Sequence, residues 1–323
     1  MTIERAWRKE NDYMPGYGNS YRDGDVARSL VECYASAVRP VVTNYDKSVG
    51  CDLGCWYGFS TIVLSRLGAA RVHGVELNPE VVSRSNSWVS QYRLENLKFH
   101  CITEEGRIPL GEASVDWVYI NQVLCNARAD TFRHSLEEAY RILRRGGRLI
   151  FCDSNNPHCP DTVERLTASH RQLELGEGTE EHPAGPTFQS RTAWFANHFP
   201  DLAEPDRKAL AKGTCYQHGE QLRKAAEDFV KDGSLPQSFF QPGIDRCPCE
   251  PVHGGAQSQV TDPHRVRQDL EEIGFVQTAI SIVPTARPAL TPEELEEALR
   301  SSQAFYVYGE KPSQAQSAGG MQR

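Results

Sequence analysis

The chain has 323 residues with a formal net charge of −8, and 39% of its residues are hydrophobic. Its length predicts one large domain with an insertion, or two domains, and its acidic balance argues against a general binder of nucleic-acid phosphates. No apolar run approaches the roughly 18 residues of a membrane span, and the polar start lacks a signal-peptide core, so we expect a cytoplasmic protein with no membrane partner, whose ten cysteines are thiols.

The N-terminal segment, residues 1–46, is predicted to be a lid followed by a helix. Its first part is polar and aromatic, with Gly and Pro that favour a loop, and Tyr13, Tyr17 and Tyr21 are spaced to flank a pocket. A loop that covers apolar surface is the alternative. From Asp25 onward, apolar residues recur at helical spacing, which predicts the helix.

Residues 47–154 alternate strands and helices. Apolar strands are predicted at "SVGCDLG", "RVHGVEL", "LKFHCIT", "VDWVYIN" and "RLIFCD". The clearest helix is "DTFRHSLEEAYRILRRGG", which we expect to start at Asp130 as its cap and to stop at Gly146. This alternation predicts an α/β fold with a doubly wound, mostly parallel, Rossmann-like sheet that is covered on both faces.

The alternation breaks after the fifth strand. Residues 155–261 contain Pro, His and Gly clusters and are predicted to form a mainly helical insertion, residues 262–312 complete the core sheet, and residues 313–323 form a disordered tail. Ligands of open α/β sheets bind at the carboxyl ends of the strands, where the insertion leaves the sheet. The insertion is therefore predicted to cap a substrate. A dimerisation arm, which would make the protein a homodimer, is the alternative.

The stretch "VGCDLGCWYGFST" predicts a strand, a tight turn with Gly54 and Gly58, and a helix. A glycine turn lets the backbone approach a ligand without obstruction by a side chain. The next strand ends at Glu76, where a carboxylate can accept hydrogen bonds from ribose hydroxyls. Together these features favour a nucleoside site over a plain strand-to-helix connection that is followed by a surface glutamate.

These motifs resemble those of the class I S-adenosylmethionine-dependent methyltransferases. "DLGCWYG" is similar to the family's acidic-x-Gly-x-Gly-x-Gly motif, "GVELNPE" to the segment with the acidic ribose ligand, and "TEEGRIPL" to the segment whose acid faces the adenine amino group. The resemblance covers residues 47–154 and, more weakly, 263–312, and it implies S-adenosylmethionine as cofactor and methyl transfer as activity. The implied cofactor-binding residues are Asp52, Gly54, Cys55, Trp56, Gly58, Glu76, Leu77, Glu104, Glu105, Asn121 and Gln122.

Two residues depart from the family pattern. Trp56 replaces the middle glycine, and Thr103 replaces the glycine before the adenine-facing acid. We expect an ordinary negative φ at Trp56, with the amide facing the ligand and the indole packed against the protein. A contribution of the indole to the substrate cavity is the alternative. A dinucleotide fingerprint requires a glycine at this position for close pyrophosphate approach, so Trp56 disfavours a nicotinamide cofactor.

The implied reaction needs few catalytic groups, because methyl transfer from a sulfonium is an in-line displacement that depends on positioning. Oxygen acceptors often need a general base as well. His158, His182 and His218 are the candidate catalytic bases in the insertion, and a surface or structural role is the alternative for each. Asn121 and Gln122 follow the fourth strand and are expected to face cofactor and substrate.

The remaining motifs limit the range of functions. The densest cysteine cluster, "CPC" at residues 247–249, lacks the paired spacing of structural zinc sites, so no metal is predicted. The Asn/Asp-Pro-Pro-aromatic motif of nucleic-acid amino methyltransferases is absent, so we expect a small-molecule acceptor, with oxygen favoured as the acceptor atom. A thiol-dependent acceptor, a non-catalytic member of the fold and a nicotinamide-dependent oxidoreductase are the alternatives.

Overall fold

The computed structural model describes residues 24–127, 129–166, 188–214, 219–236, 260–283 and 290–313. Their helices and strands are, in chain order, α1 (Gly24–Val38), β1 (Val49–Leu53), α2 (Phe59–Arg66), β2 (Arg71–Glu76), α3 (Pro79–Gln91), β3 (Leu97–Cys101), β4 (Val115–Asn121), α4 (Ala129–Ile142), β5 (Leu143–Asp153), α5 (Phe188–His198), α6 (Glu204–Gly213), α7 (Glu220–Asp232), α8 (Pro263–Ile273), β6 (Val276–Ser281), α9 (Pro292–Ser301) and β7 (Phe305–Glu310). Residues 160–166 form a further helical segment after β5.

The strands of the described residues form a seven-stranded sheet in the order β3-β2-β1-β4-β5-β7-β6. Strands β1 to β5 pair in parallel, whereas β7 pairs antiparallel with both β5 and β6. This arrangement confirms the predicted doubly wound, mostly parallel sheet. The carboxyl ends of β1 to β5 share one edge, called the carboxyl edge below. The strand order reverses between β1 and β4, which is where ligands of such sheets bind.

Side chains cap the N-termini of helices α3 and α9. The Asn78 side chain accepts a hydrogen bond from the Glu80 N–H at 2.9 Å, and Pro79 opens α3, which is the arrangement that an Asn-Pro pair favours at a helix start. At α9, Thr291 and Glu294 form a reciprocal capping box. These caps fix where the helices begin relative to the strands that precede them.

The helix α4 is shorter at its end than predicted. It ends at Ile142 rather than at Gly146. Leu143 already pairs with Val115 in the register of the β4–β5 ladder. The prediction was wrong because residues after the helix join the sheet directly, and the glycine lies inside β5 rather than at a helix end.

A buried tryptophan anchors β1 on one face of the sheet. Trp117 is fully buried, its ring stacks on that of Tyr45 with centroids 5.9 Å apart, and its indole N–H donates to Ser48 Oγ at 2.9 Å. A Cβ on Gly50 would overlap the Trp117 ring, so the glycine lets β1 lie against it. This packing fixes the strand whose carboxyl end carries the glycine turn.

The strand β3 lies at the edge of the sheet, and α3 covers part of that edge. Asn86 Nδ2 donates to the Phe99 carbonyl at 2.9 Å, and the Phe99 N–H donates to Asn86 Oδ1 at 3.0 Å. The Leu97 N–H bonds the Leu94 carbonyl at 2.9 Å. These bonds occupy backbone groups that would otherwise be open on an edge strand.

The chain divides into two compact units. The sheet unit holds the residues up to Leu124, Asp130–Cys159 and the residues from Thr261 on, and the helical unit holds Cys125–Ala129 and Pro160–Val260. The predicted insertion began at residue 155 and ended at residue 261, so its first five residues and its last belong to the sheet unit instead. They do so because the Thr261 N–H bonds the Asn155 carbonyl at 2.9 Å, which ties both ends to the core.

The helical unit has its own small core. Its helices α5, α6 and α7 pack around Phe195, Leu210 and Leu222. The buried Arg191 donates from Nε to the Ala211 carbonyl at 2.9 Å. The described part of this unit is mainly helical, and its role as a substrate cap stays a prediction. Within the described ranges, no helix is long and apolar enough to cross a bilayer.

Candidate active site at the carboxyl edge

The turn between β1 and α2 requires both of its glycines. Gly54 and Gly58 have φ values of +74° and +85°, which strain any residue with a Cβ. A Cβ would also overlap a neighbouring side chain at each position, that of Val123 at Gly54 and that of Phe99 at Gly58. The Gly54 N–H donates to the Val75 carbonyl at 2.7 Å. The turn is therefore held against the end of β2, and its backbone lies too close to Val123 and Phe99 for a side chain at either glycine.

Glu76, the last residue of β2, lies beside this turn and is only 8% exposed. Its Oε2 accepts the Trp56 N–H at 3.0 Å, and its Oε1 accepts the N–H groups of Leu77 and Asn78 at 2.8 Å and 3.1 Å. Three backbone amides thus orient the carboxylate. A carboxylate has about four lone-pair sites, so acceptor capacity remains for a ligand hydroxyl.

Asp52 anchors the start of α2 rather than facing solvent. Its Oδ2 accepts the hydroxyls of Ser60 at 2.6 Å and Thr61 at 2.7 Å, and its side chain is buried. Burial raises the pKa of Asp52 to about 6, and the nearby Glu76 adds to the rise, although the two hydroxyls lower it. Burial likewise raises the pKa of the Cys55 thiol, so Cys55 contributes an uncharged side chain to the turn.

Trp56 adopts a conformation that corrects the prediction made for it. Its φ is +48° rather than negative, and its side chain is 45% exposed rather than packed against the protein. The indole lies edge-on to the Tyr57 ring, with centroids 5.3 Å apart. A left-handed conformation costs a non-glycine residue about 1–2 kcal/mol. The expectation failed because the turn keeps the glycine-type backbone even where the glycine is replaced.

The turn after β3 brings two acids to the same edge. The Ile102 N–H bonds the Glu76 carbonyl at 2.9 Å, which places the following residues, Glu104 and Glu105, beside the end of β2. The Thr103 Oγ1 accepts the Arg107 N–H at 3.1 Å and so closes the turn. A hydrogen bond with the Thr103 side chain lowers the pKa of the exposed Glu105. Thr103, which departs from the family's glycine, therefore stabilises this turn.

A partly buried ion pair that the sequence analysis missed holds the rest of this loop. Glu138 Oε2 accepts the Ile108 N–H at 2.8 Å, and Arg141 donates to Glu138 Oε1 at 2.7 Å. Arg141 also bonds the carbonyls of Ile108 and Leu110 at 2.8 Å and 2.9 Å. Burial raises the pKa of Glu138, but the Arg141 and Ile108 hydrogen bonds outweigh it and leave that pKa lowered. In the sequence, the pair is visible only as a Glu and an Arg three residues apart in α4. The same spacing is common on solvent-exposed helix faces, so it does not indicate a buried role.

The end of β4 completes the edge. Asn121 pairs with Cys152 in the β4–β5 register, and the Gln122 N–H donates to the Cys152 carbonyl at 2.9 Å. Gln122 has a φ of +54°. The ends of β1 to β4 thus bring to one edge the residues predicted to bind the cofactor, namely Asp52, Gly54, Cys55, Trp56, Gly58, Glu76, Leu77, Glu104, Glu105, Asn121 and Gln122.

The candidate base His158 lies in the sheet unit rather than in the insertion. Its Nε2 is 3.2 Å from Asp262 Oδ1, its Nδ1 is 3.9 Å from Glu296 Oε2, and its ring meets that of His264 edge-on at 5.2 Å. Asn156 Oδ1 accepts the His158 N–H at 3.0 Å. These contacts tie His158 to α8 and α9 and give it an anchoring role.

Other predicted features lie outside the described residues. They are the three N-terminal tyrosines, the histidines at 182 and 218, the "CPC" cluster and residues 314–323. Cysteines of the described ranges, such as Cys55 and Cys152, are free thiols. Among the residues that the structure describes, no three His, Cys, Asp or Glu side chains form a group able to hold a metal ion.

Comparison with known proteins identifies the family of the central segment. The family model described as a methyltransferase domain matches residues 51–151. An arsenite methyltransferase of Halobacterium salinarum is 31% identical over 104 residues, which cover 32% of this chain and 26% of that protein. A demethylmenaquinone methyltransferase of Tropheryma whipplei is 28% identical over 106 residues, which cover 33% of this chain and 41% of that protein. The chain thus spans less than half the length of these curated relatives.

Solved structures of low sequence identity also match. A chain from the Haloferax volcanii complex of the Trm112 methyltransferase activator with a methyltransferase is 16% identical, covers 97% of this chain and 99% of its own, and has a TM-score of 0.49. The geranyl diphosphate C-methyltransferase of Streptomyces coelicolor A3(2) is 11% identical, with 89% and 78% of the two chains covered and a TM-score of 0.45.

Proposed function

We propose that this chain, whose residues 51–151 belong to the methyltransferase-domain family, is an S-adenosylmethionine-dependent methyltransferase that acts on a small-molecule acceptor. The observation that carries the proposal is the Glu76 carboxylate at the end of β2, held beside the glycine turn by three backbone amides. An oriented acceptor at this position suits the hydroxyls of a ribose.

The residues of the carboxyl edge fit this cofactor in the order of their strands. The acids Glu104 and Glu105 follow β3 and suit the adenine amino group, and Glu76 follows β2 and suits the ribose. The remainder of the molecule would extend toward the turn after β1. The exposed Leu77 adds apolar surface next to Glu76. The buried Asp52 supports the turn from below through Ser60 and Thr61.

The bound cofactor would supply an electrophilic methyl group, and the protein's contribution is to hold an acceptor in line with it. The fixed turn and the Glu138–Arg141 pair keep the edge rigid for this purpose. An oxygen acceptor, which we favour, also needs a base. His182 and His218 remain the candidates for that role in the helical unit, while the contacts of His158 favour anchoring.

The acceptor is proposed to be small. Arsenite and demethylmenaquinone, after which two relatives are named, are small molecules rather than macromolecules, which supports this class. The helical unit, Cys125–Ala129 and Pro160–Val260, is proposed to form the acceptor pocket. A homodimer built through that unit is the alternative role for it. A cytoplasmic location is proposed from the sequence.

Isothermal titration of the full chain with S-adenosylhomocysteine and with NAD tests the proposal. We expect binding of S-adenosylhomocysteine only, because Trp56 places a side chain where a pyrophosphate needs bare backbone. Binding of NAD alone would support an oxidoreductase, and binding of neither would support a non-catalytic member of the fold. Incubation with methyl-labelled S-adenosylmethionine and a panel of small oxygen, sulfur and nitrogen acceptors then identifies the acceptor class.

A further inference from the structure

Trp56 combines a strained backbone conformation with an exposed side chain. Six non-glycine residues of the described chain have positive φ, and Trp56 is the bulkiest of them. Its indole is 45% exposed and makes an edge-on ring contact with the neighbouring Tyr57. A large aromatic that is both strained and exposed contributes little to folding, and such residues concentrate at functional sites.

The indole also stands at a defined place on the carboxyl edge. The Trp56 N–H bonds Glu76 Oε2 at 3.0 Å, so the residue lies directly beside the proposed ribose acceptor. Leu77, which follows Glu76 in the sequence, is 57% exposed. Because adenine-facing acids follow β3 and the ribose acceptor follows β2, the part of the ligand beyond the ribose lies toward β1 and β4. Trp56 belongs to the turn after β1.

We infer that Trp56 is a specificity-determining residue whose indole face binds the sulfonium end of S-adenosylmethionine. This inference rests on the proposed function. A cation over an aromatic face is attracted by the ring quadrupole, and tryptophan provides the strongest such site. A neutral thioether has no such attraction. The site therefore favours S-adenosylmethionine over S-adenosylhomocysteine.

This preference bears on turnover. In the transfer step the acceptor lone pair forms the new bond to the methyl carbon, the carbon–sulfur bond breaks, and its electron pair stays on sulfur. An acceptor proton leaves to a base or to solvent. The sulfur thereby loses its positive charge, so the attraction to Trp56 ends with the reaction. The indole thus assists binding of the substrate form and release of the product form.

The test compares dissociation constants for the two ligands, measured by titration calorimetry on the full chain. Trp56→Leu keeps apolar bulk without a π face, and we expect it to lower the preference for S-adenosylmethionine over S-adenosylhomocysteine roughly three- to tenfold. Trp56→Phe should keep part of the preference. Leu77→Ala is the matched control, because loss of exposed apolar surface should weaken both ligands equally.

Indole fluorescence gives a second readout that is independent of transfer activity. Ligand binding should change the emission of the wild-type chain, and Trp56→Phe should abolish most of that change while the other four tryptophans remain. An unchanged ligand preference in both Trp56→Leu and Trp56→Phe, with both ligands bound, would overturn the inference alone. Failure of the wild-type chain to bind either ligand would instead overturn the proposed function. Thermal melts of each variant establish that it is folded.

Discussion

Two halves of the carboxyl edge differ in backbone strain and in side-chain exposure, although both contain buried polar groups. The anchor half, residues 153–159 with residues 261–264, buries Asp153, Asn155 and Asn156 and bonds them to backbone. The turn half, residues 52–58 with residues 76–78, holds a buried carboxylate whose pKa is raised and a strained, exposed tryptophan. The contacts of the anchor half stabilise the fold, whereas the buried carboxylate and the strained tryptophan of the turn half lower its stability.

The difference separates structural residues from the proposed ligand-binding residues on a single edge. In the anchor half, Asn156 Nδ2 donates to the carbonyls of Leu299 and Ser302, both at 2.7 Å, so β5 is joined to the end of α9. In the turn half, the polar groups of Glu76 are partly used and its neighbours are exposed. A rigid anchor half allows the turn half to keep strain that a ligand can exploit.

Removal of Asn156 should produce the largest effect on stability. Asn156→Ala leaves two buried carbonyls and the His158 N–H without their partner, which should lower the free energy of unfolding by about 3–5 kcal/mol. Urea unfolding at pH 7 measures the loss. Affinity for S-adenosylhomocysteine, measured below the unfolding transition, should stay within about twofold of wild type. A larger loss of affinity would break the separation between the two halves.

Asp52 should make the turn half sensitive to pH. Because its folded pKa of about 6 is above the ordinary aspartate pKa of 3.8, the folded state binds an extra proton, and its stability falls as pH rises from about 4 to 6. Asp52→Asn lacks this slope. The unfolding free energy of the variant minus that of wild type should therefore rise by roughly 2 kcal/mol from pH 4 to pH 7. Parallel urea-derived stability curves for the two proteins would contradict the raised pKa.

Glu76 should affect the ligand more than the fold. Glu76→Gln removes the negative charge that strengthens a hydrogen bond to ribose, but its carbonyl oxygen can still accept some of the three backbone N–H groups. The affinity for S-adenosylhomocysteine should therefore fall at least about tenfold, which corresponds to roughly 1.5–3 kcal/mol. Calorimetry measures this. Glu76→Ala is the harsher variant, because it leaves three backbone N–H groups without an acceptor. Equal affinity in Glu76→Gln and wild type would remove Glu76 from the ligand site.

His158 should behave as part of the anchor half. His158→Ala removes its contact with Asp262, and both side chains are partly exposed, so the free energy of unfolding should fall by only about 0.5–1 kcal/mol. Once an acceptor is known, the rate of methyl transfer should be unchanged. A rate loss of about a hundredfold, with affinity for cofactor retained, would make His158 the general base after all.

The smallest expected change is a gain in stability. Trp56→Gly removes the left-handed strain at a position where glycine is the family residue, so the free energy of unfolding should rise by about 0.5–1 kcal/mol. Thermal and urea unfolding measure it, with Tyr57→Ala as a neighbouring control that leaves the strain in place. A loss of stability in Trp56→Gly would show that the indole contributes to folding.

The sequence was informative about features with a local signal. Alternating strands and helices predicted the sheet, and the two glycines with Glu76 predicted the turn and the carboxylate beside it. Each of these depends on residue types at fixed spacing, which backbone geometry enforces.

The features that the sequence analysis missed depend on contacts between distant segments. Nothing near Trp56 indicates that a turn shaped by Val75 and Glu76 would force its φ positive. The roles of Glu138 and Arg141 are set by a loop about thirty residues earlier, and the role of Asn156 by a helix over a hundred residues later. Such long-range pairs carry no local periodicity, so patterns of residue type cannot reveal them.

Asn86 has a consequence for how copies of this chain can associate. By taking both backbone groups of Phe99, its amide leaves β3 without a free donor–acceptor pair at the middle of the strand. A second copy, or an unfolded chain, that paired with β3 would therefore have to displace the Asn86 amide from Phe99, which disfavours continuation of the sheet at this strand. One amide side chain thus protects the middle of an edge strand from intermolecular pairing.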